Sequence, residues 1–249
     1  MFKMKKIICA LLACLMCVTA AITFGGCGCN KDKSNNQTSK SSGPGYVVPT
    51  TEPDLKDDTF GYYIINSKEL MLTRYYGKGG KVEIPAEFQG YKISIIGHSV
   101  FNARDVEEVV IPDSVTEIQD YAFSGNKKLK SATLSKNLKV LGINAFFNCQ
   151  ALQSIELPAT LKEIGSYAFC ATGLTKVTIP ESNTLSELPQ FCFFQCASLK
   201  EVTIPVTITK IPKDCFKECP QDMVIKAYSG SYALSYAQKY NIKVEELKR

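Results

Sequence analysis

The chain has 249 residues, 45% of them hydrophobic and 21% charged, which excludes wholesale disorder and allows one or two domains rather than many. Its formal charge is +5. Without Lys3, Lys5 and Lys6, which precede an apolar run, 26 of the 29 basic residues stand against 24 acidic ones, an excess too small to leave an electrostatic footprint for nucleic acid.

The N-terminus reads "MFKMKK" and then "IICALLACLMCVTAAITF", residues 7–24, with no charge, which is the layout of an export signal. A run of this length also suffices for an uncleaved membrane anchor. The small residues Gly25 and Gly26 immediately before Cys27 favour cleavage instead. Thr23-Phe24-Gly25-Gly26-Cys27 resembles a bacterial lipoprotein box, with Phe24 where that family usually has Leu. The resemblance implies a signal peptide over 1–26 and acylation of Cys27, Cys29 being the weaker acceptor. "NKDKSNNQTSKSSGPG" follows, too polar to bury a core. Residues 27–58 are therefore expected to be a lipid-anchored flexible linker, whose stretch from Asn30 to Asp58 has a root-mean-square reach of about 30 Å.

Beyond the linker the chain repeats itself. "VEIPAEFQGYKISIIGHSVFNARD", "VEEVVIPDSVTEIQDYAFSGNKK", "LKSATLSKNLKVLGINAFFNCQA" and "LQSIELPATLKEIGSYAFCATG" align, as do the two units after them. Phe101, Phe123, Phe146, Phe169, Phe193 and Phe216 are separated by 22, 23, 23, 24 and 23 residues, the period of a stacked-coil solenoid. Alternation places Val82/Ile84, Val109/Ile111, Ala132/Leu134, Ile155/Leu157, Val177/Ile179 and Val202/Ile204 on the inward face of a short strand in each coil. Proline follows five of those strands. A second apolar pair, such as Val115/Ile118 or Leu161/Ile164, and the Phe fill the interior from the opposite wall.

This unit resembles the BspA-type leucine-rich repeats of bacterial surface proteins, approximately LxxIxIPxSVTxIGxxAFxxC, over residues 82–219. The resemblance implies a β-rich, right-handed leucine-rich-repeat solenoid of about six coils of 22 to 24 residues, with short helical turns and a C-terminal capping helix. Residues 59–81 are similar to the strand-rich N-terminal cap of such proteins, with Gly77, Gly79 and Gly80 at a turn, and 220–249 to their closing cap, where Ser231 can cap a helix running to about Tyr240.

Two CxxxC pairs, "CFFQC" from Cys192 and "CFKEC" from Cys215, raise the question of a four-thiolate metal site. In repeat register Cys192 and Cys215 join Val100, Ala122, Ala145 and Ala168 in the column before the Phe, while Cys149, Cys196 and Cys219 join Arg104, Asn126 and Thr172 three after it. That spacing belongs to packing, with buried thiols the first reading, disulfides between adjacent coils the second and metal the last. Cys170 fits neither column and is expected to be the exposed, reactive thiol.

No catalytic residue and no cofactor is assigned. His98 is the sole histidine and aligns with Asp120, Ile143, Ser166, Gln190 and Lys213, a tolerant turn position. Glu107/Glu108 point to opposite faces of a strand and Asp57/Asp58 fall in the linker, so neither is a glycosidase pair. "GKGGK" lacks the full phosphate-loop pattern.

The outward strand column, Glu83, Val110, Thr133, Glu156, Thr178 and Thr203, carries no aromatic residue. Tyr121, Tyr167 and Phe191, two before the Phe, and Phe147 and Phe194, just after it, form the candidate binding stripe on the opposite wall, the alternative being partial burial between coils. Tyr232, Tyr236 and Tyr240 are expected to pack in the cap. The implied function is adhesion by a lipid-anchored protein facing outward from a bacterial, Gram-positive membrane, with protein or polysaccharide as partner and no nucleic acid. A scaffold for a partner of the same cell is the alternative, and an enzyme of unrecognised type a distant third.

Overall fold

The computed structural model describes residues 52–248. The signal segment, Cys27 and the chain to Thr51 lie outside the described residues. The described part opens with an antiparallel meander, β1 (Leu55–Lys56), β2 (Phe60–Ile64) and β3 (Glu69–Tyr75). Leu55 and Lys56 thus belong to the cap rather than to the linker expected through Asp58. Asp57 holds the turn, its Oδ1 accepting from the amides of Thr59 and Phe60 at 2.6 and 2.7 Å.

From there the chain winds in coils whose strands form two walls. The first wall contains β4 (Gly80–Glu83), β7 (Val106–Val110), β9 (Ser131–Thr133), β12 (Lys176–Thr178), β13 (Glu201–Ile204) and β14 (Val224–Tyr228). The second contains β6 (Tyr91–Ile96), β8 (Glu117–Ile118), β10 (Val140–Leu141) and β11 (Glu163–Ile164), and it continues the cap because β6 pairs in parallel with β3. A hairpin of β5 (Glu87–Phe88) onto β6 turns through Gln89 and Gly90, both at positive φ. Neighbouring coils pair in parallel and in register, for example Val109 with Ala132 and Val177 with Val202.

The expected inward pairs are buried, apart from the half-buried Ala132. The third side of each coil is a run of tight turns rather than the expected helical turn. Left-handed residues recur four apart, Ser99 and Ala103, Tyr121 and Gly125, Asn144 and Asn148, Tyr167 and Ala171, Phe191 and Gln195, and such a residue stops helical propagation. The turns still form a ladder between coils, since the amides of Phe101, Phe123, Phe146, Phe169 and Phe193 donate to Ala122, Ala145, Ala168, Cys192 and Cys215 at 2.8–3.0 Å. That ladder stacks the six rings face to face, at centroid separations of 4.9, 5.2, 5.8, 5.5 and 5.4 Å.

Each end of the ring column is closed by aromatics from a cap. Tyr75 and Phe60 pack on Phe101 at 4.9 and 6.4 Å, and Tyr236 packs edge-on against Phe216 at 6.2 Å. Tyr236 lies on α1 (Tyr232–Lys239), the helix among the described residues, whose N-cap Ser231 accepts from the Leu234 amide at 3.2 Å. Of the three tyrosines expected in the cap, Tyr236 is buried, while Tyr232 and Tyr240 are exposed, Tyr240 resting on the Tyr236 ring at 4.8 Å. β15 (Lys243–Leu247) pairs with β14 and ends the first wall with charged, exposed side chains, which blunt an edge strand.

Candidate binding surface

The outward column of the first wall stands as expected, with Glu83, Val110, Thr133, Glu156 and Thr178 exposed and Thr203 half-buried. Charges on this wall are largely matched between coils. Lys128 pairs with Asp105 at 3.2 Å, Lys130 with Glu107 at 2.9 Å, and Lys226 with Glu201 and Glu245 at 3.0 and 3.3 Å, while Lys176 reaches Glu201 at 2.6 Å. Hydrogen bonds from Lys130 and from Lys176 hold the Glu107 and Glu201 carboxyls below the usual carboxylate range. Exposed pairs of this kind set register between coils more than they add stability.

The five candidate aromatics are all half-buried and do not form one stripe. Tyr167 stacks on Phe191 at 4.7 Å, and Phe194 meets Phe191 edge-on at 5.6 Å, giving a three-ring cluster on coils 4 and 5. Tyr121 instead lies against the His98 ring at 5.6 Å, and Phe147 makes no ring contact among the described residues. The register explains the split. Asn144 stands between Tyr121 and Tyr167 in one column, and Cys170 stands between Phe147 and Phe194 in the other. Reading those two interrupting residues along with the aromatics identifies the cluster from sequence.

Cys170 is not the exposed thiol. It is 2% exposed, because its small side chain sits in register between Phe147 and Phe194 of the adjacent coils. The remaining repeat cysteines are free thiols, all buried except the half-buried Cys219, and among the described residues no cluster of His, Cys, Asp or Glu is arranged to hold a metal. Cys149, Cys196 and Cys219 each donate Sγ–H to the carbonyl of a Phe in the preceding coil, Phe123, Phe169 and Phe193, at 3.3, 3.1 and 3.1 Å. Asn126 does the same for Phe101 at 2.7 Å. Burial pushes the Cys149 thiol up to about 12 and the Cys196 thiol up to about 11, which keeps both protonated and donating.

Other residues considered for chemistry have structural partners. The His98 amide donates to Gln119 Oε1 at 3.1 Å in a turn. Glu107 is engaged by Lys130, away from Glu108 on the opposite strand face. "GKGGK" is a turn in which Gly79 has φ +88°, and a Cβ there would collide with the carbonyls of Arg104 and Asp105. No helix among the described residues is long and apolar enough to cross a membrane.

Sequence reasoning missed two breaks in the walls. In the first wall Ser154–Leu157 of coil 4 joins no strand ladder, and a cleft of about 440 Å³ opens between it and β9, lined by Ala132, Thr133, Lys136, Ile155 and Glu156 among others. In the second wall a smaller cleft of about 340 Å³ separates β11 from Leu185–Pro189. There Pro189 replaces the glycine whose amide, in coils 3 and 4, donates from Gly142 to Ile118 and from Gly165 to Leu141 at 2.7 Å, and proline has no N–H to give. Ser182 and Thr184 fill part of that gap, both donating to the Leu161 carbonyl at 3.1 Å.

Comparison with known proteins agrees with this geometry. The family described as the BspA type leucine rich repeat region matches residues 94–221 in six copies, just over half of the chain. A leucine rich repeat protein of T. pallidum superposes with a TM-score of 0.59 at 23% identity, over 77% of this chain and 97% of that one. A leucine rich cell surface protein of Faecalibacterium prausnitzii gives 0.59 at 26% identity, over 70% of this chain and 54% of that one. A leucine-rich repeat protein of Bacteroides ovatus gives 0.51 at 22% identity, over 72% and 62%. These sources are several different bacteria and do not single out a Gram-positive one. A search of curated proteins finds no match. With six matched repeats, two parallel-stranded walls and a continuous column of stacked phenylalanines, the chain belongs to the BspA-type leucine-rich-repeat family.

Proposed function

We infer that this protein is exported, acylated at Cys27 and held at the outer face of a bacterial membrane, where its solenoid binds protein or polysaccharide and so mediates adhesion. The observation that carries the binding surface is the cluster of Tyr167, Phe191 and Phe194. Aromatic side chains anchor interfaces by offering large, rigid contact area, and these three stay half-buried although Phe169 and Phe193 in the same coils are fully buried. The cell-surface description of the Faecalibacterium prausnitzii protein supports the location. Tyr121 and Phe147, lying apart from the cluster, are secondary candidates on the same side of the coils.

The test is binding of residues 52–249 to immobilised matrix proteins, bacterial polysaccharides and whole cells at two salt concentrations. Saturable binding is expected, weakened about tenfold by Phe191→Ala, the scale of an interface hot spot. Binding to no foreign material would overturn adhesion. Binding confined to the envelope of the producing cell would support the second reading, a scaffold for a partner of the same cell, which the short Ser/Asn/Lys-rich segment between Cys27 and β1 favours.

A further inference from the structure

The outward face of the second wall changes character along the stack. Beyond β6 it is largely polar, carrying Glu117, Lys139, Lys162, Glu163 and the Glu187–Lys210 pair. At the cap end it is apolar. Register places Tyr63 of β2, Met71 of β3 and Ile95 of β6 in one cross-strand row, and Ile65 follows Tyr63 by two residues on the same face. A Cβ at Gly61 would come within 3.0 Å of the Tyr76 hydroxyl, so the Tyr76 ring lies across β2 beside this row. Tyr63, Ile65 and Tyr76 are 38, 40 and 45% exposed, an apolar patch of the kind that marks contact with a partner or a membrane. Cations rim it. Lys56 stands opposite Gly61, Gly61 opposite Arg74, and Lys92 opposite Glu69, which brings all three to the outward face. Lys56 and Lys92 make no ion pair among the described residues. The carboxylates nearby are engaged, Glu69 by the Asn66 side-chain amide at 2.8 Å and Asp54 by the Ile64 main-chain amide at 2.8 Å.

We propose that this face of the cap docks on the anionic headgroup region of the bilayer that holds Cys27. Tyrosine suits that boundary because its ring is apolar and its hydroxyl is wetted. Lysine and arginine lay their stems along apolar surface while their heads reach lipid phosphates. The chain from Cys27 to Thr51 enters the cap at β1, the strand next to β2. A flexible coil of that length reaches about 25–30 Å, so the patch meets the bilayer at high effective concentration and needs little affinity of its own. A soluble partner has no such link. This placement rests on the acylation of Cys27 and adds an orientation to it, with the cap on the lipid and the polar coils beyond it in water.

The chain has no tryptophan, so Tyr63→Trp and, at the opposite cap, Tyr232→Trp each introduce a single reporter. The chain from Cys27 onward, tagged with histidines at its N-terminus, is held on vesicles of phosphatidylglycerol and phosphatidylcholine by a nickel-chelating lipid, which tethers it with or without an acyl group. Emission from position 63 is expected to shift to the blue and to be quenched by brominated acyl chains, relative to unbrominated vesicles, while emission from position 232 does neither. Lys56→Glu with Lys92→Glu should remove most of that quenching. No quenching at position 63, equal quenching at both positions, or indifference to the two charge reversals would overturn docking. So would a blue shift present before vesicles are added and unchanged by them, which would give the face to a second copy of the chain. Acylation is scored separately, by the mass of the full chain recovered from bacterial membranes. If no acyl group is found while position 63 is quenched, only the anchor is lost, and if the chain is acylated while position 63 stays unquenched, only docking is lost.

Discussion

Thiol protons support part of this solenoid. The Sγ–H of Cys196 donates at 3.1 Å to the Phe169 carbonyl inside the stack and also lies 3.3 Å from Thr172 Oγ1. Removing a buried partner leaves the other group unsatisfied and opens a small void. Cys196→Ala is expected to lower stability by about 1–3 kcal/mol in urea unfolding, and a change below the error of the midpoint would show that the bond contributes nothing. The same thiols set a pH limit. Their folded pKa values, pushed by burial to about 12 for Cys149 and about 11 for Cys196, lie above the ordinary value of 9.0. In the unfolded chain they ionise first, so their contribution is complete below about 9 and lost as pH rises from there to about 12. The Tyr62 and Tyr236 phenols, raised mainly by burial, act in the same direction. Urea midpoints across this range should fall more steeply for the wild type than for Cys196→Ala, and parallel curves would remove the thiol from the account.

Within each coil, strand, turn and second strand must return the chain to nearly the same point, and close approach between coils constrains particular residues. Gly142 and Gly165 follow the second-wall strands of coils 3 and 4, and each has the backbone of the preceding coil directly over it. A Cβ at Gly165 would collide with the backbone of Ile143 and Gly142. Gly165→Ala is therefore expected to cost more than about 1 kcal/mol, read as a lower midpoint in thermal unfolding, and an unchanged midpoint would mean that the coils separate there without strain. In coil 5 the position is Pro189, the ladder lapses and a cleft appears. The two observations have one cause, since the amide at this position must reach the coil before it, as that of Gln119 also reaches Ile96 at 2.8 Å, and proline has no amide proton to give.

At the scale of the molecule, no coil buries both of its own faces, so stability passes between neighbours and the ends need closing. Tyr75 and Phe60 close one end of the ring column and Tyr236 the other. A chain ending at Pro220 lacks β14, α1 and β15 and exposes the Phe216 ring and the edge of β13. It is expected to aggregate or to lose its cooperative transition, as sedimentation and circular dichroism will register. A soluble monomer with an unchanged transition would contradict the need for a cap. The first wall is interrupted on both sides of coil 4 and the second wall after it, while the turn ladder runs through without a break.

The repeat was legible because its period is written in six phenylalanines and its inward faces in alternate apolar residues, both local patterns that packing repeats coil after coil. The strand positions outside coil 4, the capping helix from Ser231 and the packing role of the CxxxC spacing follow from the sequence, and the proposed export signal and acylation of Cys27 rest on sequence alone. Tertiary structure decided what depends on two coils at once. The burial of Cys170 comes from the phenylalanines above and below it, and the division of five aromatics into a cluster, a pair and a single ring comes from Asn144 and Cys170 interrupting their columns. The turns lack helix because left-handed residues recur four apart, which depends on the ladder between coils that holds them there. The open cleft beside Ser154–Leu157 exists because hydrogen bonds that every local rule permits are not formed between neighbours, and a sequence read one coil at a time carries no term for a missing partner.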